Sequence, residues 1–207
     1  MTVQPPAPLV LASNSAARQA MLRQAGLEFA VQPPDVDETA MKADLLRRDT
    51  QAPALAAALA TAKARSVAGA RPDALVIGAD QVLACDGVLY DKAADMTAAA
   101  ATLKALAGRC HELHAAACVL RGETLLWQHT ATAKMWMRPL TDDFIAGYLD
   151  QAGRSVLWSV GCYQIEGLGV QLFERVDGDY FTILGLPLLP LLAFLRMSAA
   201  PQGLPQP

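Results

Sequence analysis

Charge and histidine are both scarce in this chain, and each shortage closes off a class of function. Lys and Arg together number 17 against 20 Asp and Glu, a formal net charge of −3, which argues against a nucleic-acid-binding surface with its basic patch. A small anionic ligand needs only a few placed cations and is compatible with that balance. Of the three histidines, His111 and His114 lie three apart in a predicted strand, which points them to opposite faces, and His129 is isolated; they support no metal site. The four cysteines (Cys85, Cys110, Cys118, Cys162) form no Cys-x-x-Cys pair and no metal-finger spacing. They read as reduced, mostly buried thiols of a cytoplasmic protein. No long hydrophobic run is present: residues 183–195 are too few to span a bilayer and contain Pro187 and Pro190. Residues 1–8 lack a basic region followed by an apolar one, so no secretory leader is expected. Gly-x-x-x-x-Gly-Lys loops, Gly-x-Ser-x-Gly elbows and zinc-protease helices are missing, and no Ser-His-Asp set stands out. Neither a membrane nor a nucleic acid is expected as a partner.

What the chain does have is apolar bulk. At 207 residues and 53% hydrophobic content, it is expected to form one domain over 1–197, either a single core or two lobes sharing one, with a disordered small-residue and Pro-rich tail over 198–207. Strand and helix patterns alternate. Short strands are predicted at 9–12 and 29–32, helices at 16–25 and 52–69, and a hairpin at 74–90 around Asp86-Gly87. A helix over 97–106 closed by Gly108 follows, then two long strands at 110–120 and 124–137. Thr141 caps a helix to about Gln151, a Gly-rich stretch at 161–169 leads into a strand at 170–176, and the last helix starts near Pro187. The fold class is mixed α/β, a long twisted sheet with helices packed around it.

The richest segment is Ala74-Leu75-Val76-Ile77-Gly78-Ala79-Asp80-Gln81. An aliphatic run reads as a buried strand that delivers a carboxylate beside small residues. An unpaired buried Asp is expensive, so Asp80 is expected to face a cleft holding a cation or a polarised water; the plainer alternative is a turn former or helix cap. Near the N-terminus a short strand, then Ser13-Asn14-Ser15, leads into a helix carrying Arg18. Such an arrangement presents free N–H groups and a positive dipole end to an anion, with the hydroxyls and a guanidinium as further donors; Ser13 or Ser15 could instead simply cap the helix. Asp37-Glu38, in an acidic loop stiffened by Pro33-Pro34, could join Asp80 around a hard divalent cation or lie in solvent. Lys63 and Lys92 are either surface lysines or phosphate ligands meeting in one cleft. In GCYQIEG at 161–167, the glycines permit close approach to a flat ligand, and Gln164 and Glu166 offer hydrogen bonds to a base edge; a plain connecting loop is the alternative.

Taken in order, LASNS with Arg18, DVDE at 35–38, ATAKA around Lys63, VIGADQV around Asp80, DK at Lys92, LAGR with His111, GCYQIEG and GDYFTILGLPL resemble the Maf family of nucleoside triphosphate pyrophosphatases. The resemblance covers residues 9–195. It implies a two-lobed α/β fold around a central cleft, like that of inosine triphosphatases, often homodimeric, and cleavage between the α and β phosphates to release pyrophosphate. It also implies a divalent cation, Mg or Mn, with Asp80 as general base and Glu38 as a metal or water ligand. The two carboxylates could exchange those roles, so both are candidate metal ligands. Ser13, Ser15, Arg18, Lys63 and Lys92 match the phosphate-binding set.

Departures from the family pattern bear on the substrate. Ala16-Ala17-Arg18 stands where Pro-Arg-Arg is common, so one arginine is missing. Gln81 replaces a frequent Thr, and Glu166 a frequent Gln. With Leu172-Phe173-Glu174-Arg175, these two look like the branch acting on 7-methyl-GTP rather than on dTTP and UTP. A carboxylate accepts from the N1–H and exocyclic amine of guanine, and N7-methylation adds positive charge that it favours. Ala17 replaces the Trp usual in that branch, removing a stacking surface worth roughly 1–3 kcal/mol per base and leaving a dTTP/UTP or broad preference open. A third reading, a nucleotide-binding regulator of cell division, would need a defective site, whereas Asp80, Glu38, Lys63 and Lys92 are all present.

Overall fold

The computed structural model describes residue 5 and residues 7–199. Seven strands form one mixed sheet: β1 (Leu9–Ala12), β2 (Ala30–Val31), β3 (Leu75–Cys85), β4 (Val88–Tyr90), β5 (Cys110–Arg121), β6 (Thr124–Met137) and β7 (Phe173–Asp177). Their order is β2-β1-β3-β5-β6-β7, with β4 paired to β3. The helices are α1 (Ala16–Gln24), α2 (Glu38–Arg47), α3 (Ala52–Ala68), α4 (Met96–Leu106), α5 (Asp142–Ala152), α6 (Tyr180–Ile183) and α7 (Leu188–Ala199). Two stretches of 3₁₀ helix, Gly153–Trp158 and Leu168–Leu172, join α5 to β7. Among the described residues no helix is long and apolar enough to cross a membrane.

Side chains alternate across β3 and thereby sort the core. Val76 and Val82 lie against the inner face of α3, with Leu55, Leu59 and Ala60. Ile77 and Ala79 face the opposite way, onto α1 and α7. Leu83 and Cys85 share that second face but pack with Leu103 of α4 and Ile145 and Leu149 of α5. One face is thus covered by α3, and the other by two helical groups placed one after the other along the strands.

Several expectations shift. The acidic segment is not all loop: Asp37 caps α2 by accepting from Ala40 N, and Glu38 is its first residue. The strand expected at 170–176 begins only at Phe173, because 168–172 winds into 3₁₀ helix. The second strand shrinks to two residues. Helix α4 starts one residue early, capped by Asp95. Helix α7 runs through Ser198 and Ala199, where the tail was expected to begin; residues 200–207 lie outside the described ones.

Candidate active site

The site begins as a gap in a sheet edge. Along one edge β3 pairs in parallel with β1 through residues 75–78 and antiparallel with β4 through residues 83–85. Between them, residues 79–82 have no strand partner on that side among the described residues. The last β1 rung is Ala12 opposite Gly78, so Ser13 enters the gap from one side. Tyr90 pairs with Leu83, so Asp91 and Lys92 enter it from the other. Strand ends where neighbours diverge are where open α/β sheets hold ligands.

Asp80 sits in this gap, and its parity with Gly78 and Val82 aims it at α3. Gly78 is what lets α3 come so near. A Cβ there would stand 2.1 Å from the carbonyl oxygen of Ala60 and 2.8 Å from the Ala64 Cβ. Helix α3 therefore carries Lys63 directly over the carboxylate. Lys63 Nζ donates to Asp80 Oδ1 at 2.6 Å and pairs with Glu38 Oε2 at 2.8 Å. Lys63 and Asp80 are buried, whereas the Glu38 side chain is half exposed. A third ion pair, between Lys42 of α2 and Asp91 beside Lys92, ties α2 to the far side of the gap.

The remaining cations belong to the same electrostatic neighbourhood. Burial draws the Arg18 guanidinium below its ordinary range, and the charges of Asp80 and Glu38 draw it back up. Lys92 is exposed, yet partial desolvation, then repulsion from Arg18 and Lys63, lowers its pKa against the pull of Glu38 and Asp80. The structure thus brings Arg18, Glu38, Lys63, Asp80 and Lys92 around one gap.

At its N-terminal side, Ser15 caps α1 by accepting from Arg18 N at 3.4 Å. Ser13 Oγ accepts from Ser15 N at 3.2 Å and from Arg18 Nη1 at 3.4 Å. Both hydroxyls therefore receive hydrogen bonds here, leaving their protons to donate to an anion. Ala17, in the first turn of α1, is half-buried.

Gln81 is not beside Asp80 in space as it is in sequence. It points to the opposite face, where its Nε2 donates to the carbonyls of Thr182 and Ile183, both at 3.0 Å. Arg18 reaches the same segment: Nε donates to Gly185 O at 2.8 Å and Nη1 to Ala79 O at 3.0 Å. Glu166 lies in the exposed turn before the 3₁₀ segment. Its charge helps to raise the Tyr148 phenol pKa, after burial and Cys162, and among the described residues no hydrogen bond or ion pair joins it to Gln81 or Lys63. The turn's first glycine packs against β3, since a Cβ on Gly161 would lie 3.0 Å from Leu83 Cδ1. Thr182, Ile183 and Gly185 were not singled out from the sequence. Their backbone carbonyls do the binding, and a carbonyl leaves no trace in residue type.

A divalent cation fits the donor set. Two carboxylate oxygens converge on one point, now held by an ammonium, and hard cations take a pair of carboxylates together with substrate oxygens and water. Among the described residues no group of three or more His, Cys, Asp or Glu side chains is placed to hold a metal, so an ion here would draw ligands from the nucleotide.

Comparison with known proteins gives matches along nearly the whole chain. The family model described as Maf-like protein matches residues 8–198. A nucleoside triphosphate pyrophosphatase of Rhodopseudomonas palustris is 53% identical over 192 residues, covering 92% of this chain and 94% of the relative. One from Nitrobacter winogradskyi is 50% identical over 189 residues, 91% and 93% of the two chains. A 7-methyl-GTP pyrophosphatase of Rhizobium meliloti is 48% identical over 188 residues, 91% and 94%. With a match of this extent, and with the Asp80, Lys63 and Glu38 motifs meeting at one gap in the sheet, the chain belongs to the Maf-like family.

Proposed function

We propose that this protein is a nucleoside triphosphate pyrophosphatase, a hydrolase of acid anhydrides, with its reaction centre in the gap of β3. The observation that carries the reading is Lys63 Nζ held between Asp80 Oδ1 and Glu38 Oε2, with Lys92 across the gap. Asp80 takes a proton from the attacking water as its oxygen bonds to the α-phosphorus. The bond from that phosphorus to the bridging oxygen breaks, and pyrophosphate leaves. Lys63 and Lys92 spread the phosphate charge, the Ser13 and Ser15 hydroxyls donate to phosphate oxygens, and Glu38 helps orient the water. A bound divalent cation would add charge neutralisation on the triphosphate.

For the base, the reading is 7-methyl-GTP, supported by Glu166 and by the relative of that name. Relatives named only for nucleoside triphosphates are equally similar, and the small Ala17 suits a broader range of bases.

Asp80→Asn tests the chemistry. Pyrophosphate release is expected to fall by roughly 10²–10⁴-fold, the usual worth of a general base, with nucleotide affinity little changed. Undiminished turnover would remove Asp80 from this role. Glu166→Gln tests the base: turnover of 7-methyl-GTP relative to UTP should drop by roughly tenfold, the cost of one charge-assisted hydrogen bond. An unchanged ratio would show that Glu166 does not read the base.

A further inference from the structure

Asp80 is bracketed. The residue before it, Ala79, gives its carbonyl to Arg18 Nη1 at 3.0 Å, and the residue after it, Gln81, gives its side-chain amide to Thr182 O and Ile183 O at 3.0 Å each. Arg18 closes the loop by donating from Nε to Gly185 O at 2.8 Å. Both tethers therefore end on one short stretch of chain, residues 182–185, that packs under the strand on the face away from Lys63. This happens at the four positions where, among the described residues, β3 is paired on its β5 edge alone, so the second ladder that flanks an interior strand is missing there.

The stretch is itself well anchored. Asp179 caps α6, accepting from Phe181 N at 2.9 Å and Thr182 N at 3.2 Å, and from the Thr182 hydroxyl. Ile183 and Leu186 are buried. Gly185 takes φ +95°, and a Cβ on it would come within 3.4 Å of Arg18 Nη2 and 3.5 Å of Gln81 Oε1. The turn is thus shaped around both side chains.

We propose that Arg18 and Gln81 are positioning residues. Together they clamp the backbone on either side of Asp80 to residues 182–185 and hold its carboxylate in register with Lys63. The inference rests on Asp80 acting as the base, and it gives Gln81 a role separate from base recognition. Arg18 acts through the Ala79 and Gly185 carbonyls. A misplacement of the order of 1 Å can cost about 10²-fold in rate, so loss of either tether should show in kcat.

The test uses Gln81→Met and Arg18→Lys in the full chain, alone, together and on an Asp80→Asn background. Pyrophosphate release is followed from 7-methyl-GTP, GTP, UTP and dTTP, and thermal melts show that each variant is folded at the assay temperature. Each single variant should lose roughly tenfold or more in kcat, with KM held and the same factor for every base. The double variant should lose little beyond the worse single one, because the two act as a unit. On the Asp80→Asn background, Gln81→Met should change the residual rate by less than about twofold, whereas a merely structural defect would compound. A Gln81→Met enzyme with wild-type kcat overturns the clamp. One whose base ratios change returns Gln81 to base recognition, and a rise in KM alone for Arg18→Lys makes that guanidinium a phosphate ligand. If Asp80→Asn keeps full activity, it is the catalytic reading that fails.

Discussion

An ammonium group buried between two carboxylates costs desolvation energy that its ion pairs only partly repay, so its value here lies in geometry rather than stability. Lys63 fixes the spacing of Asp80 and Glu38, and a glycine on the facing strand makes that possible. Gly78 is confined by the Ala60 carbonyl at 2.1 Å from a would-be Cβ, and backbone cannot step aside as a flexible side chain could. Gly78→Ala should push α3 outward and destabilise the fold by roughly 3 kcal/mol, the upper end for overpacking. Because Lys63 rides on α3, kcat should fall even where the variant remains folded. Thermal melting with pyrophosphate-release assays checks this, and an alanine variant matching wild type in both would refute the close-packing account.

At the level of elements, what the sequence discloses depends on whether the signal is local. Helix α3 and strand β3 were readable because seventeen and eleven residues respectively hold one pattern. Asp80 and Lys63 were nameable as candidates for the same reason. Helix α2 escaped because it buries no residue fully and packs only Met41 and Leu45 against the α3 core. Its traces were there: an Asp cap, Met41 and Leu45 four apart, and Asp44 paired with Arg47 and Arg48. The 3₁₀ turn at 168–172 displaced an expected strand because Val170 and Leu172 suit either state. Alternation along β3 puts Gln81 on the face opposite Asp80. What it touches there depends on chain returning from a hundred residues away, and no spacing rule predicts that.

For the molecule as a whole, the same sheet that separates the site from its supports also sets a limit in acid. The two histidines of β5 fall on opposite faces, and both are buried. His114 bonds Thr132 Oγ1 through Nδ1 at 2.9 Å, whereas His111 bonds the Tyr163 phenol through Nε2 at 2.7 Å. The other ring nitrogen of His111, Nδ1, has no partner among the described residues. Burial lowers the His111 pKa to about 4, and it lowers that of His114 as well, against the pull of Glu112. A histidine kept neutral by the fold binds its proton more readily once unfolded, so the unfolded state gains as pH falls. Stability is unaffected by His111 above about pH 6.5, declines between about 6.5 and 4, and levels off below, a loss of roughly 3 kcal/mol. His111→Phe should be less stable than wild type at pH 7.5, because the Tyr163 hydroxyl loses its partner. Its stability should nonetheless fall less steeply from pH 6.5 to 4.5, with His114 and the carboxylates contributing equally to both proteins. Urea unfolding at several pH values measures the two slopes, and parallel curves would show that His111 does not carry this part of the acid sensitivity.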